Sequence, residues 1–276
     1  MTTIDTGTEE LLCTIDQRVA VITLNKPHKK NALGDILTPA LRQTLLELED
    51  HDEVGCIMLT GAGDAFCSGG DVSGMGGGSS KDDGATKKAP PTKQERIDQL
   101  THAQKTLTQR LHEHPKVTIA ALPGAAAGAG LSIALACDLR VASQNAFLTT
   151  AFARIGLSGD YGSSWFLTRL VGLAQAKEMF YLSERISADD AKSMGLVNRV
   201  FPAETFREEA LNYARTIANG PTQALGRMKM NLHQGLEQGL PESLALEATH
   251  LIESMGTHES KEAISAFMEK RSPKFH

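Results

Sequence analysis

Short apolar runs alternate along this chain with longer stretches in which apolar residues return every three or four positions. Runs rich in β-branched and aliphatic side chains predict strands at 11–15, 19–24, 54–60, 117–122, 139–142 and 196–200. Helical spacing fills 33–48, where Leu37, Leu41, Leu45 and Leu48 form one stripe, and it recurs over 95–113 and 163–171. Strands alternating with helices predict an α/β architecture. From residue 203 onward the spacing stays helical, and 206–218, 222–237 and 241–269 carry no strand pattern. One stretch, 73–92, has no periodicity and is rich in Gly, Ser, Lys and Pro, so it cannot bury a core. It reads as a loop, either a lid over a ligand or a solvated surface insertion.

Composition narrows the choices. A chain of 276 residues suits one large domain or a domain with an appendage. Its net charge of −5 lacks the signature of a polyanion binder, which argues against nucleic acid as a partner. Cys13, Cys56, Cys67 and Cys137 lack metal-ligand spacing and read as reduced thiols of a cytoplasmic protein. The polar, acidic first ten residues resemble neither a signal nor a transit peptide. No apolar run approaches the ~20 residues of a membrane span. His112 and His114 have no acidic or cysteine partner at ligand spacing, so no metal is expected. Rossmann and P-loop fingerprints are also absent.

The candidate chemistry lies in two turns poor in side-chain bulk. The predicted strand at 117–122 runs into Pro123-Gly124-Ala125-Ala126-Ala127-Gly128-Ala129-Gly130-Leu131-Ser132 and then an apolar helix. The strand at 54–60 runs through a turn into Ala65-Phe66-Cys67-Ser68-Gly69-Gly70-Asp71. Such elbows let backbone N–H groups approach a ligand closely. Two of them, each contributing one N–H, would hold a single oxygen between two donors, as an enolate or tetrahedral oxyanion requires.

With these elbows, further segments fall into a familiar order. They are Val19-Ala20-Val21-Ile22-Thr23-Leu24-Asn25-Lys26-Pro27, Lys30-Asn31-Ala32-Leu33, Ile186-Ser187-Ala188-Asp189-Asp190-Ala191, Gly195-Leu196-Val197-Asn198-Arg199-Val200 and Phe267-Met268-Glu269-Lys270-Arg271. Over nearly its whole length the chain resembles the crotonase (enoyl-CoA hydratase/isomerase) superfamily. That resemblance implies a spiral of ββα units over 1–202, with a flexible insertion at about 73–92. It also implies a C-terminal helical region, 203–276, that packs between subunits of a homotrimer or a dimer of trimers. The substrate would be an acyl-CoA thioester, whose CoA is the only cofactor expected. Its thioester oxygen would be gripped by the Gly70 and Ala129 amides.

Proton transfer is where the chain departs from the family's hydratases. Those resembled enzymes carry two glutamates, and the matching positions here are Ser132 and Phe152, neither of which is an acid or base near neutral pH. The segment Ile155-Gly156-Leu157-Ser158-Gly159-Asp160-Tyr161-Gly162-Ser163-Ser164-Trp165 is instead similar to that of isomerases with a single catalytic aspartate. That branch includes the ring-epoxide isomerase of phenylacetyl-CoA breakdown and Δ3,Δ2-enoyl-CoA isomerases. The resemblance implies that Asp160 is the acid/base of a double-bond shift. Read from helix-start chemistry alone, Asp160 is an N-cap of the following helix rather than a catalytic group. A hydratase of divergent mechanism and a non-catalytic acyl-CoA binder are the alternative functions.

Substrate contacts are less sharply marked. Lys26 and Lys30 follow the first long strand where family members meet CoA phosphates, or else belong to a solvated turn. Ser68 and Asp71 flank the first elbow. Phe152, Phe166 and Trp165 suggest an apolar acyl pocket, to which Tyr161 and Ser132 add hydroxyls that either donate to substrate or pack. By resemblance, Phe267 and Lys270 reach the CoA of a neighbouring subunit.

Overall fold

A computed structural model describes residues 1–71 and 90–276. The expected lid at 73–92 therefore lies outside the described residues except for its last three. Seven strands form one sheet: β1 (Thr2–Ile4), β2 (Leu11–Asp16), β3 (Val19–Leu24), β4 (Cys56–Gly61), β6 (Val117–Leu122), β8 (Leu139–Ser143) and β11 (Arg199–Phe201), neighbours in that order. β1, β2 and β3 pair antiparallel, and from β3 to β11 every pairing is parallel. A smaller sheet has the order β10 (Ile186–Ser187), β9 (Phe147–Thr149), β7 (Ala125–Ala127), β5 (Ala65–Cys67). Successive passes of the chain thus give one strand to the large sheet and one to the small sheet before a helix returns it. This is a spiral of ββα units, as expected.

The apolar stripe behaves as its spacing requires: α1 (Leu37–Leu48) buries Leu37, Leu41, Leu45 and Leu48 against β2 and the main core. Helix begins at Leu37 rather than at 33 because the Leu33 backbone is already committed. Its N–H donates to Gly69 O at 2.8 Å and its carbonyl accepts from Asp71 N–H at 2.9 Å. The 95–113 pattern becomes α2 (Lys93–Gln104), a π-helical turn and α3 (Arg110–Glu113), opened by a capping box between Thr92 and Glu95. Small, apolar α4 (Ala129–Ala136) is buried throughout. The helix expected at 163–171 continues as α5 (Ser163–Leu182) but kinks at Gly172, one residue past the expected end. Strand 196–200 shortens to β11 because Leu196 and Val197 donate to Ala191 O, closing the turn after α6 (Ala188–Ser193).

Beyond β11 the described chain is helical, as expected. Buried Phe206, Ala210, Ala214 and Ala218 of α7 (Phe206–Ala218) cover the outer face of the large sheet. α8 (Thr222–Gly235), α9 (Leu240–Met255) and α10 (His258–Glu269) follow. The single run expected over 241–269 is broken at Gly256–Thr257, where the Thr257 hydroxyl accepts from Ser260 N–H and caps α10. No described helix is long and apolar enough to cross a membrane. All four cysteines are free and buried.

Candidate active site

The two elbows meet because their strands are parallel neighbours. β5 pairs with β7, so both strands end at the same sheet edge. Gly69 leaves β5 with φ +100, and a Cβ there would stand 3.1 Å from Ala127 O and 3.5 Å from Ala129 N. Gly128, with φ 52 and ψ −128, turns β7 into α4, a conformation that side chains forbid. Gly130 packs still closer: a Cβ would fall 2.3 Å from Cys67 O. Small residues here therefore set the separation of the elbows.

Each elbow leaves one amide unspent. The bridge between Leu33 and Gly70 uses the N–H groups of Leu33 and Asp71, and leaves that of Gly70 outside the pairing. Ala129 is the first residue of α4, where N–H groups have no intrahelical acceptor. Asn31, fully buried, anchors the first elbow. Its Nδ2 donates to Ala62 O at 3.0 Å and Ala65 O at 2.8 Å, and its Oδ1 accepts from Lys26 N–H at 2.9 Å.

Gly70 and Ala129 open onto a cleft of about 550 Å³ whose wall includes Asp160, Tyr161, Asp71, Thr38 and Arg42. Asp160 is held by its backbone. Its carbonyl accepts from the Ser132 hydroxyl at 3.1 Å, the Ser163 hydroxyl at 3.0 Å and Ser163 N–H at 3.1 Å. On its side chain, Oδ1 is sealed from solvent with no hydrogen-bond partner among the described residues. Burial pushes this carboxyl above the ordinary aspartate range. The N-cap alternative fails, since Gly162 is the N-cap of α5 and no side chain caps it. Tyr161 follows with φ 50, a left-handed conformation that costs a tyrosine roughly 1 kcal/mol or more.

The chain belongs to the enoyl-CoA hydratase/isomerase family. The profile of that family matches residues 14–276. A Rhodobacter capsulatus protein named "probable enoyl-CoA hydratase" is 38% identical over 261 residues, covering 95% of each chain. The 1,2-epoxyphenylacetyl-CoA isomerase of Escherichia coli is 32% identical, covering 97% of this chain and 98% of its own. The crystal structure of an enoyl-CoA hydratase from Polaromonas superposes with a TM-score of 0.84 at 32% identity, covering 96% and 98% of the two chains.

Within this family member the remaining expected site residues divide. Gly70, Ala129, Asp160, Tyr161 and Asp71 share the cleft, and Asp71 is also paired with Lys29 Nζ at 2.8 Å. Ser132 is fully buried behind it and bonds to Gly128 O and Asp160 O. Phe152 is buried and stacks on Phe180 near the Gly128 turn, away from the cleft wall. Trp165 is not brought to the cleft: it lines two hollows with His112, and the Arg169 guanidinium lies 3.7 Å from its ring centroid. Left-handed backbone at Tyr161 and Gly162 separates Asp160 from the start of α5, on which Trp165 lies.

The lysines divide similarly. Lys26 is nearly buried and reaches Glu10 at 3.4 Å, whereas Lys30 is exposed beside a second hollow with Gly63 and Arg207. Ser68 is exposed and donates to Lys29 O at 3.3 Å. Phe267 (82% exposed) and Lys270 lie on the open surface at the end of α10. Sequence reasoning missed Arg42 in the cleft wall. Its spacing of four from Thr38 was the available signal, but a lone charge on an amphipathic helix ordinarily marks the solvated face.

Proposed function

We propose that the protein is an acyl-CoA isomerase in which Asp160 carries the proton and the Gly70 and Ala129 amides hold the thioester oxygen. The observation that carries this reading is the unpartnered Asp160 carboxyl, which shares one cleft with both elbow amides. Ionised, it removes a proton from C2 or C4 of an enoyl thioester. The electron pair moves into the conjugated system, and negative charge collects on the oxygen facing the two N–H donors. Protonated Asp160 then returns the proton at the other end of the allylic system, which moves the double bond. Proton and electrons balance within the substrate, so no cofactor is needed beyond the CoA it carries.

A carboxyl with a raised pKa suits both halves of this cycle, since it gives the proton back as readily as it takes it. The hydratase alternative takes its support from relatives named as hydratases. Against it, Ser132 spends its hydroxyl on two carbonyls, and Phe152 is packed on Phe180. Exposed Leu244, Leu251 and Ile252 of α9 and Phe267 of α10 support a homotrimer or dimer of trimers formed through the C-terminal helices.

The test is proton exchange at C2 and C4 of a 3-enoyl-CoA in D2O, wild type against Asp160→Asn, with crotonyl-CoA hydration run alongside. Exchange that is rapid in the wild type and lost in the variant is the expected result. Equal exchange in both would remove Asp160 from the reaction. Hydration faster than isomerisation would favour the hydratase.

A further inference from the structure

The wall of the cleft beyond Asp160 holds a cation with no ion-pair partner among the described residues. Arg42 donates from Nη2 to the Tyr161 hydroxyl at 3.4 Å, and its Nε is sealed from solvent without an acceptor among the described residues. No carboxylate among the described residues lies within ion-pair distance of it. Three other guanidiniums have acceptors, although the Arg110 Nε is also unpartnered among the described residues. Arg140 spends its donors on the carbonyls of Leu196, Leu135 and Cys137, and Arg110 and Arg271 meet glutamates. Nor do the acids of the cleft pair with Arg42: Asp71 is paired with Lys29, Asp35 is exposed, and Asp160 makes no ion pair with it.

Hydrogen-bond chemistry sharpens the point. A guanidinium only donates, so Tyr161 accepts from Arg42 and has its own proton left to give. Apart from the Asp160 carboxyl, which the reaction uses, the charged and hydroxyl groups here, Arg42 and Tyr161, offer donors and a positive charge. The group that satisfies both at once is a carboxylate, and a guanidinium partly withdrawn from water gains most from such a partner. On α1, Arg42 stands about 8 Å along the axis from Leu37. The segment just before that helix is bridged to Gly70 at the oxyanion site.

We propose that the acyl group carries a carboxylate at the end remote from the thioester, bound by Arg42 and Tyr161, so that the substrate is an ω-carboxyacyl-CoA. The proposal deepens the acyl-thioester reading of the cleft and rests on it.

Calorimetric binding of saturated CoA thioesters, which cannot isomerise, tests it. Matched pairs differ only in their terminal group: butanoyl against succinyl, pentanoyl against glutaryl, hexanoyl against adipoyl. At the best-fitting length the wild type should bind the carboxylated member about ten- to a hundredfold more tightly, the range of a charge-assisted hydrogen bond. Arg42→Met should bring that ratio close to one, Arg42→Lys should keep part of it, and Tyr161→Phe should lower it by a smaller factor. Thermal melts establish folding, and Arg42→Lys stands in if Arg42→Met does not fold. A wild-type preference for the methyl-ended member at every length, or a ratio unchanged in the Arg42 variants, would overturn the proposal while leaving the acyl-CoA reading intact. Failure of every thioester to bind would overturn both.

Discussion

Two aspartates are tied to opposite ends of the eight-residue helix α4, and the protein treats them in opposite ways. Asp138, just beyond its C-terminal end, is surrounded by partners. Its Oδ2 accepts from Thr118 N–H at 2.7 Å, from the Thr118 hydroxyl at 3.0 Å and from Lys229 Nζ at 2.9 Å, and His233 lies 3.9 Å from Oδ1. Asp160, whose backbone is held by Ser132 in the first turn, has a carboxyl oxygen with no hydrogen-bond partner among the described residues. Asp138 joins β6, α4 and α8. The Asp160 side chain joins no other element among the described residues, and a half-buried acid left idle by the fold is one that the fold can use on a substrate.

The sharpest way to break this comparison is to remove each charge in turn. Asp160→Asn should cost about 10²- to 10⁴-fold in kcat on a 3-enoyl thioester, whereas Asp138→Asn should leave turnover per folded molecule within a few-fold of wild type. Comparable losses in the two variants would abolish the distinction. Stability should show the reverse order. Asp138→Asn leaves the Lys229 ammonium, 8% exposed, without its counter-charge and should cost about 3 kcal/mol in chemical denaturation. A denaturation midpoint unchanged from wild type would show that Thr118 and the backbone suffice at that corner.

Finer changes sharpen the contrast. Ser132→Ala removes one of the hydroxyls on the Asp160 carbonyl and should lower kcat by about tenfold while moving KM little. A change confined to KM would place Ser132 with substrate binding instead. The smallest effect concerns pH. The base works ionised and its pKa is raised by burial, so kcat/KM should fall on the acid side through a limb above the roughly 4 of a free aspartate. The same sign governs stability: the raised group favours the folded state below the ordinary aspartate pKa, and that contribution is lost as pH rises through the folded value. Asp160→Asn should flatten this part of the stability profile, and an unaltered profile would count against a desolvated carboxyl.

Much of this was legible before the structure. Long periodic segments were placed correctly because burial of a helix stripe or a strand face leaves its period in the sequence, as Leu37, Leu41, Leu45 and Leu48 show. The strands of the small sheet were not legible. β5, β7 and β9 have three residues each, too few to show a period, and the three alanines of β7 reflect close packing rather than strand preference. The elbows were readable because only glycine tolerates the backbone at Gly128 and the contact at Gly130.

By itself, then, the sequence determined the alternation of strands and helices, the two elbows and the absence of an acid or base at positions 132 and 152, since each is a property of residue type and spacing; the spiral was implied by the family resemblance. Tertiary structure alone decided between capping and idleness for Asp160, because a carboxyl's role depends on what lies within about 3 Å of it. It also moved Trp165 out of the cleft and Arg42 into it. A helix shows which residues share a face, but the elements packed around it decide what that face meets.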